Sequence, residues 1–363
     1  MKKIFYLWSF FFLALLFSQC DEAEKLIDEE DETYTNLTAV REDVINVDDH
    51  ITEDVTWSKD IFYVLESSVS VDAILTIEPG TVIKFGEDVN LRCDDGKIIA
   101  EGTADLPIVF TSLRHDIQDD TNADGDATTP AAADWGNVSI GGTNNASVFD
   151  HCHFYYGGGY YDYDHSLELT SSNTSVTNCT FVHNKGDVLG VLDASAAEDN
   201  VTITGNVFYY NVRPMTINGY VDLDGSNIFH NPDNPSEINS RNAIYATGNW
   251  GDVEGDRTWE ETEVAFAFPS DSYGLQVGTD HSLTLGDDVV LKFGSGKRLE
   301  FRDNLYNYNG VGVHFTSLRD DALKGDSNGD GSNTTAALGD WNGVYNRNTS
   351  VYMAWTNILY SAN

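Results

Sequence analysis

The sequence is short of basic residues: 20 Lys and Arg stand against 59 Asp and Glu in 363 residues, a net charge of −39. Such a field repels nucleic acid and anionic membrane surfaces, which excludes both as partners of the folded chain. Proline is scarce, at 7, while 31 Gly and many Asn and Asp carry the turns. Cysteine is scarcer still. Beyond Cys20 only Cys93, Cys152 and Cys179 remain, an odd number that excludes a closed disulfide framework. No apolar run after residue 17 could span a bilayer, and no helical period is sustained after residue 40. An HExxH, a P-loop, a CxxC and a Ser-His-Asp arrangement are all missing, which removes the commonest hydrolase and nucleotide-binding chemistries. What is present is 41 % hydrophobic residues with 18 Tyr, 18 Phe and 7 Trp, enough for a sizeable core.

The N-terminus, MKKIFYLWSFFFLALLFSQC, places Lys2 and Lys3 before an apolar run from Ile4 to Phe17 that ends at Cys20. It resembles a bacterial lipoprotein signal, although Gln19 stands where a small residue is usual. The resemblance implies that residues 1–20 are a lipoprotein-type signal, in which Cys20 is lipidated and becomes the new N-terminus once the segment before it is removed. Residues 21–47 are acidic and read as a flexible tether. Asp21, Glu22 and Glu24 resemble the surface-export signal of Bacteroidetes-type lipoproteins.

From residue 48 short β-like segments follow one another. Leu75–Gly86 reads as strand, Pro-Gly turn, strand. Further on, four segments carry Cys or Asn two residues before a Phe: Cys152/Phe154, Cys179/Phe181, Asn206/Phe208 and Asn227/Phe229. Three of them then reach an Asn, at 184, 211 and 231. Several short strands per 20–30 residues are the mark of a solenoid. Each station should stack on the next coil, about 4.8 Å away. Phe ladders should fill the interior, Asn ladders should hold the turns, and Cys152 and Cys179 should be buried small apolar residues.

The chain then repeats itself. Leu283–Gly294 matches Leu75–Gly86, and Trp259 takes the part of Trp57. Phe110-Thr-Ser-Leu-Arg114 returns as Phe315-Thr-Ser-Leu-Arg319. The copies divide the solenoid into 48–241 and a truncated 242–363. Behind each FTSLR comes an Asp-x-Asn-x-Asp-Gly loop that closes on an Asp before Trp135 or Trp341. The oxygen ligands so spaced are Asp120, Asn122, Asp124, Asp126 and Asp134 in one loop, and Asp326, Asn328, Asp330 and Asp340 in the other. A hard, flexible cation, Ca²⁺, fits this pattern. An EF-hand does not, because position 12 is Ala131 or Ala337 and no helices flank the loop.

LTIEPGTVIKF, GTADLPIVFTS, the Asp loop and the Trp-Gly that follows resemble the right-handed parallel β-helix repeat lipoproteins exported by Bacteroidetes. The resemblance covers roughly 48–363. It implies an all-β, right-handed parallel β-helix with two Asp-rich loop insertions, anchored to the outer membrane and exposed at the cell surface. The leading expectation is a calcium-stabilised module that binds a polysaccharide or another cell-surface ligand without catalysis. Tyr160, Tyr161, Tyr163, Lys185 and Arg213 are its candidate ligand contacts. A polysaccharide lyase and a purely structural stalk are the alternatives.

Overall fold

The computed structural model describes residues 43–363 apart from 119, 126, 143–144, 160–164, 171–172, 193–200, 247–251 and 273. Cys20, Asp126, Tyr160, Tyr161 and Tyr163 therefore lie outside the described residues, as does most of the expected tether. The last residues of that expected segment are described. Asp43–Asn46 is already a strand, paired in parallel with Ile61–Leu65.

The chain forms a right-handed parallel β-helix, and among the described residues it contains strands and no helix. Three sheets wrap the first copy, with seven, ten and six strands. The ten-stranded sheet runs on through the second copy, so the two copies form one continuous solenoid. Pairing is parallel at nearly every rung, with equivalent residues in register, as Phe154 with Phe181 and Phe181 with Phe208. That register stacks like on like. Phe110, Phe154, Phe181, Phe208 and Phe229 form a column with ring centroids 4.7–5.5 Å apart. All five rings are fully buried.

Two polar ladders hold the turns. Asn184 N–H donates to Asn211 Oδ1, and Asn211 N–H donates to Asn239 Oδ1. The third member is thus Asn239 and not Asn231. Asn231 belongs to an antiparallel hairpin, His230–Asn231 with Asn234–Ile238, which interrupts the coil and delays the ladder residue. The second ladder runs through the station before the Phe: Cys179 N–H donates to Asn206 Oδ1, and Asn206 N–H to Asn227 Oδ1. Cys152 and Cys179 sit in this column as free, buried thiols.

The second copy repeats the first one face further round. Val82–Phe85 and Ile108–Ser112 pair within the seven-stranded sheet. Their counterparts Val290–Phe293 and His314–Ser317 pair within the ten-stranded sheet. The change happens near residue 230. The seven-stranded sheet stops after Val207–Tyr209, bridged only to Ile228 and overlaid by the hairpin. A new five-stranded sheet opens at Asp252–Val253 and takes over the vacated role.

Candidate cation-binding loops

Each aspartate loop leaves the solenoid after an FTSLR strand and returns at a buried Trp. Trp135 stacks on Phe85 at 4.3 Å, and Trp341 on Phe293 at 4.6 Å. Their indole N–H groups donate to the carbonyls of Tyr155 and Leu359. The return is fastened by the closing Asp. Asp134 accepts from Ser112 Oγ (2.7 Å), Arg114 Nη1 (2.8 Å) and Ala131 N–H (3.0 Å). Asp340 accepts from Ser317 Oγ, Arg319 Nη1 and Ala337 N–H in the same way. Both expected ligands thus fasten the neck of their loop. Ser, Arg and backbone N–H donors meet their oxygens there, in a largely buried setting at Asp134 and a more open one at Asp340.

The tips are built alike. Asp120 accepts from the N–H groups of Asp124 and Gly125, and Asn122 Nδ2 donates to Asp124 Oδ2. Asp326 accepts from the N–H groups of Asn328, Gly329, Asp330 and Gly331. Asn328 Nδ2 and Thr334 Oγ1 both donate to Asp330 Oδ2. Gly125 and Gly331 have φ of 62° and 72°, a left-handed turn that a side chain would strain.

Only the second tip brings three carboxylates together among the described residues. Oxygens of Asp321, Asp326 and Asp330 lie within 4.8 Å of one another. Asp321 was not among the predicted ligands, yet it had a signal: Asp116 and Asp321 recur two places after the Arg of each copy. Asp321 Oδ1 is buried without a hydrogen-bond partner. Burial, then the charge of Asp326, raises the pKa of Asp321, and the Thr334 hydroxyl lowers that of Asp330. Crowded oxygen donors of this kind fit a hard divalent cation. Asn328, in this geometry, offers its carbonyl to Asp330 N–H.

Beneath each loop lies a buried lysine. Lys84 and Lys292 point outward from their strands and are fully covered. Lys292 Nζ donates to Gly325 C=O at 2.6 Å. Burial pushes its pKa down to about 8, although Asp320, Asp321 and Asp326 pull the other way. The second loop is further pinned by the Tyr245 hydroxyl, which donates to Ser327 C=O at 2.5 Å.

The other predicted contacts fall elsewhere. Arg213 is buried, paired with Asp187 and lying over the ring of Tyr245. It braces the ten-stranded sheet and does not face solvent as a ligand contact would. Lys185 is half-buried on the turn after Asn184, where its N–H bonds to Gly157 C=O. Beside it Tyr156, His183 and Tyr210 stack in a surface column, 5.7 and 5.0 Å apart, all in left-handed turns. His183 has a tyrosine on each face, and Tyr210 at the end of the column is exposed.

A cavity of about 350 Å³ opens where the six-stranded sheet ends, between Thr202–Thr204 and Asp222–Asp224. Tyr220, Arg257 and Glu260 complete its polar lining. Burial, with Glu254 beside it, raises the Tyr220 pKa to about 12. No sequence motif marks this cleft, because it arises from the change of cross-section.

The fold and its register define a parallel β-helix. Residues 49–170, the first coils together with the first Asp loop, match the pectate-lyase-like beta helix domain. Comparison with curated proteins and with solved structures yields no match.

Proposed function

We propose that this protein is an exported lipoprotein, held on the outer membrane by Cys20, whose calcium-stabilised β-helix binds or presents a cell-surface glycan without chemistry. The observation that carries the reading is the convergence of Asp321, Asp326 and Asp330 on a loop that the chain builds twice. Ca²⁺ bound there would draw on carboxylate oxygens with carbonyls and water, and would neutralise a tip that is otherwise crowded with negative charge. For the glycan, the polar cleft lined by Thr202, Thr204, Tyr220, Asp222 and Arg257 supplies hydroxyl and charged groups of the kind that orient sugars. Its acidic lip favours a neutral saccharide over a polyuronate.

A polysaccharide lyase is the second reading, favoured by the pectate-lyase-like domain match. The burial of Arg213 in its ion pair with Asp187 weighs against it, since that arginine is not available as a base. One experiment separates these readings: intact cells and purified protein are tested on a glycan array in Ca²⁺ and in EDTA, with a parallel assay for unsaturated sugar ends. Binding that needs Ca²⁺, that leaves the cell surface with Cys20→Ala and that yields no unsaturated ends is the expected result. Unsaturated products would replace the proposal with the lyase.

A further inference from the structure

Glu261 is buried to 2 % exposure in a turn of the second copy that lies against the last coil of the first. The turn follows Trp259, as Ser58–Asp60 follows Trp57 in the first copy. There the turn is half-buried to exposed, since it lies near the start of the solenoid. Here the coil of residues 221–229 lies against it, with Leu223 bridged to Trp259 and Glu260 N–H donating to Leu223 C=O. The extra coil is what buries the acid.

One oxygen of Glu261 is provided for. Oε1 accepts from the N–H groups of Thr262 and Glu263 at 2.8 and 2.7 Å. Oε2 is buried and has no hydrogen-bond partner. The charged neighbours are of the wrong sign. Glu263 and Asp224 both press on it, and Glu260 is next in sequence. From the coil above, Gly286 closes on Glu260 and leads to Asp287. The imidazole of His230 is engaged with Glu263 Oε1 at 2.6 Å. Arg257, on the preceding strand, is engaged with Asp222.

We infer that Glu261 is a proton-dependent joint between the two halves of the solenoid: it is packed as a neutral acid, and it loosens the coil of residues 221–229 against Trp259 when it ionises. Burial, the largest cause, raises its pKa to about 7 from 4.5. A carboxyl raised in this way contributes stability that is complete below the unfolded value near 4.5. That contribution is lost as pH climbs through about 7. Glu261→Gln keeps the shape and cannot ionise.

The test is thermal and denaturant unfolding of the wild type and of Glu261→Gln from pH 5 to 9, at constant ionic strength and in excess EDTA so that cation binding does not contribute. The expected result is that the folding constants of the two proteins draw apart as pH rises, by on the order of a hundredfold between pH 5 and pH 9, with the wild type the weaker at high pH. Amide protection factors at Asp222–Asn227 and Thr258–Val264, corrected for the intrinsic rise of exchange with pH, should fall over the same window in the wild type alone. A second variant guards against misfolding of the first: Glu263→Gln removes a neighbouring negative charge that raises the Glu261 pKa and should move the wild-type transition to lower pH. Parallel pH profiles for the wild type and Glu261→Gln, or exchange spread evenly over the solenoid, would overturn the inference.

Discussion

The two aspartate loops have the same tip and the same neck and differ in what lies beneath them. In the first, the residue after FTSLR is His115, whose Nδ1 lies 2.8 Å from Thr111 Oγ1. In the second it is Asp320, which accepts from Thr316 Oγ1 at 2.7 Å. A neutral ring has been exchanged for a carboxylate over an otherwise equivalent buried lysine. The second loop is also pinned to Tyr245 and Lys292, and it alone gathers three carboxylates among the described residues. The lesson is that a duplicated motif is not a duplicated site. Tip residues fix the turn, while cation capacity is set by the groups that the underlying coil presents.

The strongest way to sharpen the comparison is through the cores. Phe181 sits midway in the first ladder, and Phe293 lies between Phe268 and Trp341 in the second. Both are fully buried. Phe181→Ala and Phe293→Ala should each cost about 3–5 kcal/mol in denaturant unfolding. A cost below about 1 kcal/mol at Phe293 alone would mean that the second copy does not share the first copy's packing.

A smaller effect is expected from the proposed calcium. At a concentration about a hundredfold above its dissociation constant, one site adds roughly 2.7 kcal/mol. The melting temperature should therefore rise in Ca²⁺ and fall in EDTA. Asp330→Ala should remove most of that rise and Asp124→Ala the lesser part, because the carboxylate trio belongs to the second loop. Equal losses from the two variants would abolish the distinction between the loops. Identical melts in Ca²⁺ and EDTA would remove the metal from both.

Much of this was legible in the sequence for a simple reason: parallel stacking repeats residue types at a fixed station. The Phe column from Phe154 to Phe229 could be read directly. The Asp287-Asp288 turn could be matched to Pro79-Gly80, and both Gly80 and Asp288 have a left-handed φ. The pattern misleads where stacking is broken, and it is silent where one carboxylate could serve two ends. Asn231 was taken for Asn239 because a hairpin inserted between coils has no period. The neck role of Asp134 and Asp340 is not legible, because spacing along a loop does not say which end of it a carboxylate fastens. The rotation of the second copy by one face, and with it the cleft and the burial of Glu261, depends on which strand pairs with which. No local pattern encodes that.

The smallest predicted effect tests the origin of the asymmetry directly. His115 and Asp320 occupy the same place, so exchanging them should carry part of the cation preference across. Burial, the largest cause, with Lys84 second, lowers the His115 pKa from 6.5 to about 4, so the ring is neutral at pH 7 and adds nothing to a cation. Its sign in acid is fixed. A group whose folded pKa is depressed gives stability that is present above 6.5 and lost as pH falls through about 4. His115→Asp should abolish that component of acid sensitivity and place a carboxylate over Lys84, as Asp320 stands over Lys292. Calcium titration should then show a gain of about tenfold in the first loop, equivalent to about 1.4 kcal/mol, when measured in an Asp330→Ala background. Asp320→His should weaken the second loop by a similar factor when measured over Asp124→Ala. High salt should shrink both changes, since the loops are largely exposed. If the exchange leaves both affinities unmoved, the difference between the loops lies in the Asp321 trio and the Tyr245 clamp, and the residue after FTSLR has no part in it.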